Sequence, residues 1–141
     1  MWRWALTGLT GLILASCDMP RDPERTTSLV GETGTIRLGW IENAQADGHV
    51  CDALAELQET TGADLQIRRG DSEEILAELA EGKIDLAYGN FAMDSPWSKE
   101  VHFGRAIGWR AKPPKHESVQ RFAMRHGENG WIMTVEKAAR P

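Results

Sequence analysis

The sequence has few cysteines, no excess of basic residues and no long apolar run. Two cysteines among 141 residues cannot build a disulfide-dense scaffold. Sixteen Lys and Arg stand against twenty-one Asp and Glu, and the net charge of −5 argues against a general nucleic-acid-binding protein, which needs a basic face. No stretch reaches the roughly 18–20 consecutive apolar residues of a membrane-spanning helix.

The motifs of common catalytic and metal sites are also missing. The sequence contains no G-x-S-x-G nucleophile elbow, no H-E-x-x-H or paired C-x-x-C metal motif and no phosphate-binding loop. Its four histidines lack the spacing of metal ligands. We therefore expect a protein that is not an enzyme, with no catalytic residues, no metal and no cofactor.

Residues 1–16 have the pattern of a secretory signal peptide, with Arg3 ahead of a short and mostly apolar stretch. Residues 14–17 read Leu-Ala-Ser-Cys, which resembles the bacterial lipobox. This resemblance implies that Cys17 becomes acylated and anchors the protein to a membrane on its periplasmic side. Asp18 resembles an inner-membrane retention signal and slightly favours that membrane. The alternative is a short buried helix followed by an ordinary cysteine.

The residues after the signal peptide divide into a tether and a domain. Residues 17–34 hold the lipidated cysteine, two prolines, two glycines and several polar residues without periodicity, which predicts a flexible tether. The folded domain then covers residues 35–141. With Cys17 lipidated, Cys51 has no cysteine to pair with. Its apolar neighbours predict a buried thiol on a helix, and a reactive or metal-binding cysteine is the alternative.

Strand and helix patterns alternate through the first part of this domain, which favours parallel strands joined by right-handed crossovers. The last strand of the series is the most continuously apolar and is therefore expected at the centre of the sheet. The predicted elements are strand 35–41, helix 49–61 with Asp47 as its N-cap, strand 63–68, a helix from Asp71 to Gly82, and strand 84–88.

The last third of the chain is less regular. Residues 103–112 predict a fourth extended segment, residues 118–126 a helix, and residues 131–139 a final short helix. This part is also basic within an acidic protein, which indicates either a solvated face or a patch for anionic lipid or an acidic partner. The basic residues are Lys112, Lys115, His116, Arg121, Arg125 and Arg140.

Four stretches together resemble one lobe of a type 2 periplasmic solute-binding protein of family 3. Residues 35–40 resemble the opening strand of that family, and residues 78–87 resemble its "L…GK.D" passage from helix to strand. Residues 101–103 resemble the "V-D-F" strand before the hinge, and residues 128–137 resemble the closing helix. The resemblance implies an α/β lobe with a short, mostly parallel sheet flanked by helices.

Two features of the family are missing. Its members have two lobes, whereas here the closing helices are expected directly after Pro113 and Pro114, which implies a single lobe. Members that bind amino acids carry an arginine shortly before the "V-D-F" valine, where it pairs with the ligand carboxylate. Residues 97–100 contain no arginine, so the sequence argues against tight capture of amino acids.

The candidate site lies at the carboxyl ends of the strands, where open α/β sheets bind their ligands. Three interpretations stay open for the aromatic residues there: a small-molecule site, a protein interface, or a cap on the core. The candidates are the aromatic residues Trp40, Phe91 and Trp97 and the polar residues Glu42, Asn90 and Asp94.

These features together predict a non-enzymatic, membrane-anchored lipoprotein. Its lobe would act as an accessory or binding subunit of a membrane transport system, with an integral membrane transporter or antiporter subunit as partner. A homodimer that pairs two open faces is a further possibility. The alternative is a half-sized receptor that delivers a small polar solute to an ABC-type permease. No nucleic-acid partner is expected.

Overall fold

A computed structural model describes residues 21–109 and 111–141. The predicted signal peptide and Cys17 lie outside the described residues. No helix in the described part is long and apolar enough to span a bilayer. The elements are α1 (Thr26–Thr33), β1 (Thr35–Ile41), α2 (Gly48–Thr61), β2 (Asp64–Gly70), α3 (Ser72–Ala80), β3 (Leu86–Phe91), a 3₁₀ turn (Pro96–Lys99), β4 (Val101–Phe103), β5 (Val119–Arg125) and α4 (Asn129–Ala138).

The predicted strand–helix alternation is confirmed from β1 to β3, and its helix caps form as expected. The Asp47 carboxylate accepts the Val50 N–H at 3.1 Å, and the Asp71 carboxylate accepts the Glu74 N–H at 2.9 Å. Gly62 ends α2 in the left-handed conformation at φ 67°, which glycine adopts without a Cβ clash. Local capping therefore fixes where these helices begin and end.

Five strands form one sheet in the order β2-β1-β3-β5-β4. β1 pairs in parallel with β2 and β3, whereas β5 runs antiparallel to both of its neighbours. The sheet is therefore mostly parallel, and β3 is its central strand, as predicted. The carboxyl ends of β1, β2, β3 and β4 lie at one edge together with the start of β5. We call this the carboxyl edge and the opposite one the amino edge.

Both faces of the sheet are covered. One core cluster lies between the sheet and helices α1, α2 and α4, and includes Trp40, Tyr88 and Trp131. The second lies between the sheet and α3, and includes Ile75, Phe91 and Phe103. Both clusters lie within residues 30–139 of the described part of the chain.

The helix predicted over residues 118–126 is wrong, because this segment is strand β5. Its burial is nearly continuous from Val119 to Met124, as expected for an inner strand covered on both faces. Apolar residues at helical spacing arose there only because almost every position is buried. The extended segment predicted over residues 103–112 is also wrong, since the strand covers only Val101–Phe103.

The tether predicted over residues 17–34 is corrected in its second half, where the chain forms helix α1. Val30 of α1 is buried in the first core cluster. The Asp22 carboxylate accepts the N–H groups of Gly130 and Trp131 at the start of α4, at 2.7 and 3.1 Å. In return, the buried Glu128 carboxylate accepts the N–H groups of Glu24 and Thr26 at the start of α1. This reciprocal capping makes residues 22–33 part of the domain.

The buried thiol predicted at Cys51 is also wrong, because this side chain is exposed. The buried stripe of α2 consists of Val50, Ala53, Leu54 and Leu57. Cys51 lies beside that stripe rather than in it.

Candidate functional site

A cleft of about 490 Å³ lies at the carboxyl edge, beside the end of β3. It forms between Asn90 and Phe91 of β3, the 3₁₀ turn, and Ser72 and Glu73 in the first turn of α3. Helix α3 follows β2 directly, so its first turn starts at the edge where β3 ends. The topology of the sheet thus brings these three segments together, as expected for a site in an open α/β sheet.

An aromatic ring and a carboxylate lie side by side in this cleft. The indole Nε1–H of Trp97 donates to both oxygens of Glu73, at 3.2 and 3.3 Å. The Trp97 side chain is half-buried against the second core cluster, while Glu73 is exposed. The Ser95 hydroxyl accepts the Trp97 N–H at 3.4 Å and helps to hold the turn. The cleft can therefore offer one negative charge, one ring face and several small polar groups to a solute.

The cleft contains three of the six predicted site residues, namely Asn90, Phe91 and Trp97. Glu42 and Asp94 are exposed near the same edge but do not line the cleft. A binding role for Glu42, Asn90, Asp94 and Trp97 stays a prediction.

Trp40 and Phe91, which the sequence offers as ligand or interface residues, are buried in the core. Trp40 is only 6% exposed and Phe91 only 5%. The Trp40 indole donates to the Ala44 carbonyl at 2.9 Å and packs on Tyr88, with 4.5 Å between the ring centroids. Phe91 packs on Phe103 with 5.1 Å between the centroids. For these two residues the burial favours the interpretation that they cap the core.

Sequence reasoning missed Ser72 and Glu73. The sequence pattern assigns Glu73 only the role of a first-turn residue that complements the helix dipole. The signal that could have identified it is the order of elements, because the first turn of a helix that follows a parallel strand lies at the carboxyl edge. The described residues contain no cluster of three or more His, Cys, Asp or Glu that could hold a metal ion.

The sequence matches no protein-family model, and it has no significant match among curated proteins. Solved structures do resemble the fold. The arginine-bound form of domain 1 of TmArgBP, from T. maritima, superposes with a TM-score of 0.62 at 17% identity, covering 79% of this chain and 96% of that one. AncCDT-1, an ancestral cationic amino acid solute-binding protein, gives 0.61 at 12% identity, covering 81% and 92%. The VFT2 domain of BvgS from Bordetella pertussis gives 0.60 at 12% identity, covering 85% and 93%.

The fold is therefore that of one lobe of a periplasmic solute-binding protein, as the sequence resemblance implied. At these identities the likeness establishes the fold alone. In this chain only residues 104–118 join β4 to β5. In the family that the sequence resembles, this is the place where the chain enters a second lobe.

Proposed function

We propose that this protein is a lipid-anchored envelope protein whose single lobe serves as an accessory or binding subunit of a membrane transport system. The observation that carries the proposal is the short connection over residues 104–118, which leaves the binding edge of a solute-binding lobe without the lobe that normally faces it. The Leu-Ala-Ser-Cys tetrad ending at Cys17 supports the anchor. The role is one of binding and not of catalysis.

In this proposal a partner covers the carboxyl edge in place of a second lobe. The cleft beside Trp97 gives that edge a concave surface with an aromatic ring, a type of residue favoured at interfaces. The partner is an integral membrane subunit of the transport system, and a second copy of the chain is the alternative occupant.

Photocrosslinking tests which edge meets the partner. A photoreactive side chain at Asn90, which is exposed in the cleft, should give one discrete adduct with a protein that stays in the membrane after an alkaline wash. The same group at Lys83, exposed at the amino edge, is the matched control and should give no such adduct. Equal adducts at both positions, or none at Asn90, would contradict the proposal. An adduct of twice the mass of the chain would identify the homodimer.

The anchor has a separate test. Replacement Cys17→Ser should move the protein from the membrane fraction to the soluble periplasmic fraction, because the sulfur that carries the lipid is lost. A Cys51→Ser variant is the control and should remain with the membrane. Retention of Cys17→Ser in the membrane would show that the lobe is held there by something other than the acyl chains.

A second candidate function, a half-sized receptor for a small polar solute, is favoured by the chemistry of the cleft. The Glu73 carboxylate beside the Trp97 ring suits a cationic amine, which both groups attract. Domain 1 of TmArgBP has been solved in an arginine-bound form, so a bound solute in a single lobe has a precedent.

Calorimetry with arginine as the probe tests this candidate. Binding should be lost in Trp97→Ala, weakened about tenfold in Glu73→Gln, and unchanged in the control Glu81→Gln, which removes an exposed carboxylate at the amino edge. Binding that survives Trp97→Ala would place the solute elsewhere, and an absence of binding at millimolar arginine would leave the subunit role as the function.

A further inference from the structure

A second and larger pocket, of about 690 Å³, opens at the carboxyl edge on the side of β4 and α4. We call it the basic pocket. It differs from the Trp97 cleft in both charge and polarity. Its apolar lining includes Met93, Phe103, Trp109, Pro113 and Ile132, and its charged lining includes Arg105, Lys112, Lys115, Arg121 and Glu136.

Arg121 is the least exposed charged group of this pocket, at 3%. Its Nε–H donates to the Phe91 carbonyl at 3.1 Å, and its Nη1–H donates to the Gly104 carbonyl at 2.8 Å. No carboxylate of the described residues lies within ion-pair distance of its guanidinium. Burial accordingly lowers the pKa of Arg121 from its ordinary value, against a weaker opposing effect of Glu136. A buried cation without an anion is costly, so the site has an unused capacity for negative charge.

The Nη2 group of Arg121 is the part of the guanidinium that is available to bind an anion. It has no hydrogen-bond partner among the described residues. In the same part of the chain no buried side-chain nitrogen lacks a partner. Nη2 therefore keeps contact with open space, and the space that Arg121 lines is the basic pocket.

Glu136 does not serve as the anionic partner of Arg121, because its carboxylate is already engaged by other groups. It accepts the side-chain Nε–H and the backbone N–H of Arg105, both at 2.9 Å, and lies 3.7 Å from His102. Burial opposes its ionisation, but the hydrogen bonds from His102 and Arg105 outweigh that effect and hold the pKa of Glu136 below its ordinary value. Lys112 and Lys115 form no ion pair with any described residue, so the pocket is cationic in a chain of net charge −5.

We infer that the basic pocket binds a small organic anion, a monocarboxylate on an apolar body. Arg121, Lys112 and Lys115 supply the positive charge for the carboxylate, and Met93, Trp109 and Ile132 supply surface for the apolar part. The volume lies in the range of about 300–1,000 Å³ that is typical of small-molecule sites. The inference goes beyond the proposed function, because the residues that line this pocket are all different from those that line the Trp97 cleft.

Three probes separate the parts of the ligand. Octanoate has both charge and chain, octanol has the chain alone, and acetate has the charge alone. The probes are applied to a soluble variant of the chain that starts at residue 18 and retains both core clusters. Octanoate should bind saturably in calorimetry, at least about tenfold more tightly than either of the other probes. It should also change the tryptophan fluorescence through Trp109, and this change should be lost in Trp109→Phe.

Variants assign the site. The exposed pair Lys112→Gln with Lys115→Gln should weaken octanoate binding about tenfold, whereas the matched pair Lys83→Gln with Lys99→Gln should not alter it. Arg121→Met should abolish it, provided that circular dichroism shows the fold intact. The lysine pair keeps the inference testable if Arg121→Met does not fold. Equal affinity for octanol, equal loss in both lysine pairs, or no octanoate binding at 10 mM (roughly the weakest affinity of interest, about 2.7 kcal/mol) would overturn it.

Discussion

The two edges of the sheet differ in whether their charged side chains have partners within the chain. At the amino edge, the buried Asp85 carboxylate forms a two-pronged pair with Arg37, at 2.8 and 3.0 Å, and also accepts the Arg37 backbone N–H at 2.9 Å. Glu128 is likewise buried and fully engaged in capping α1. At the carboxyl edge, Arg121 is buried without a carboxylate partner among the described residues, and the Trp97 indole is the donor that these residues give to Glu73. The charged groups of the amino edge are thus paired within the chain, whereas Arg121 and Glu73 at the carboxyl edge can still bind a charged ligand.

The largest effect is expected from Asp85→Ala. This change leaves Arg37 without its partner and removes the acceptor for the Arg37 backbone N–H. The free energy of unfolding should fall by about 2 kcal/mol, less than the roughly 3–5 kcal/mol of a fully buried pair, because the Arg37 side chain is 40% exposed. Urea denaturation measures the loss. The exposed Asp52→Ala on α2 is the control, and a similar loss there would show that Asp85 has no special role.

Tyr88, which lies on β3 shortly after Asp85, provides the next test. It is the only tyrosine of the chain, and its hydroxyl donates to the Gln45 carbonyl at 2.6 Å. Burial, with smaller effects of Asp47 and Cys51, raises its pKa from 10.0 to about 12. Since the raised pKa favours the neutral phenol in the folded state, the stability from this group is complete below pH 10 and is lost as the pH rises towards 12.

The phenolate absorbance in the near ultraviolet follows this titration directly. In urea the same tyrosine should titrate near pH 10 (its ordinary value, about 10). Phenolate formation near that pH while circular dichroism is still native would show that Tyr88 is open to solvent.

A smaller effect on stability is expected from Arg121→Met. The change removes an unpaired buried cation, which offsets much of the loss from two carbonyls that lose their donor. The free energy of unfolding should fall by about 1 kcal/mol, clearly less than for Asp85→Ala. Urea denaturation of the two variants side by side makes the comparison, and an equal loss would mean that both edges are built for stability.

The smallest effect is expected from Trp97→Phe. A phenyl ring replaces the indole against the second core cluster and keeps most of its packing. The exposed hydrogen bond to Glu73 is removed, which costs about 0.5 kcal/mol. Thermal unfolding should therefore hardly change, whereas any solute bound in the cleft should bind more weakly. A large drop in melting temperature would identify Trp97 as a structural residue.

The same contrast explains how much of the molecule could be predicted from its sequence. From β1 to β3, Asp47, Gly62 and Asp71 mark helix ends by local chemistry, and one-sided helices show their buried stripe. Strand β5 could not be predicted, because an inner strand has no polar side and its sequence therefore lacks the alternation of apolar and polar residues. Helix α1 could not be predicted, because the residues that anchor it, Asp22 and Glu128, are about a hundred residues apart and come together only in the folded chain.

The candidate site could be placed at the correct edge but not described in detail. Whether Trp40 and Phe91 are open or buried depends on which loops fold over them. Ala44 and Ile107, from two such loops, join the core cluster that contains Trp40. The sequence pattern places Arg121 on a helical face, and only the pairing of β5 with β3 and β4 brings it to the basic pocket.

If Cys17 carries the proposed acyl group, the reciprocal capping of α1 and α4 limits how far the lobe can stand from the membrane. The described fold already holds Asp22, so an acyl group on Cys17 would have a linker of a few residues, no longer than roughly 18 Å when fully extended. The chain enters near Arg125, at the amino edge, where Glu24 lies 3.8 Å from that guanidinium. Such an anchor would turn the amino edge towards the lipid headgroups and the carboxyl edge outward. A partner that reaches both pockets would then need a domain rising about 30 Å, the width of a small lobe, above the bilayer surface.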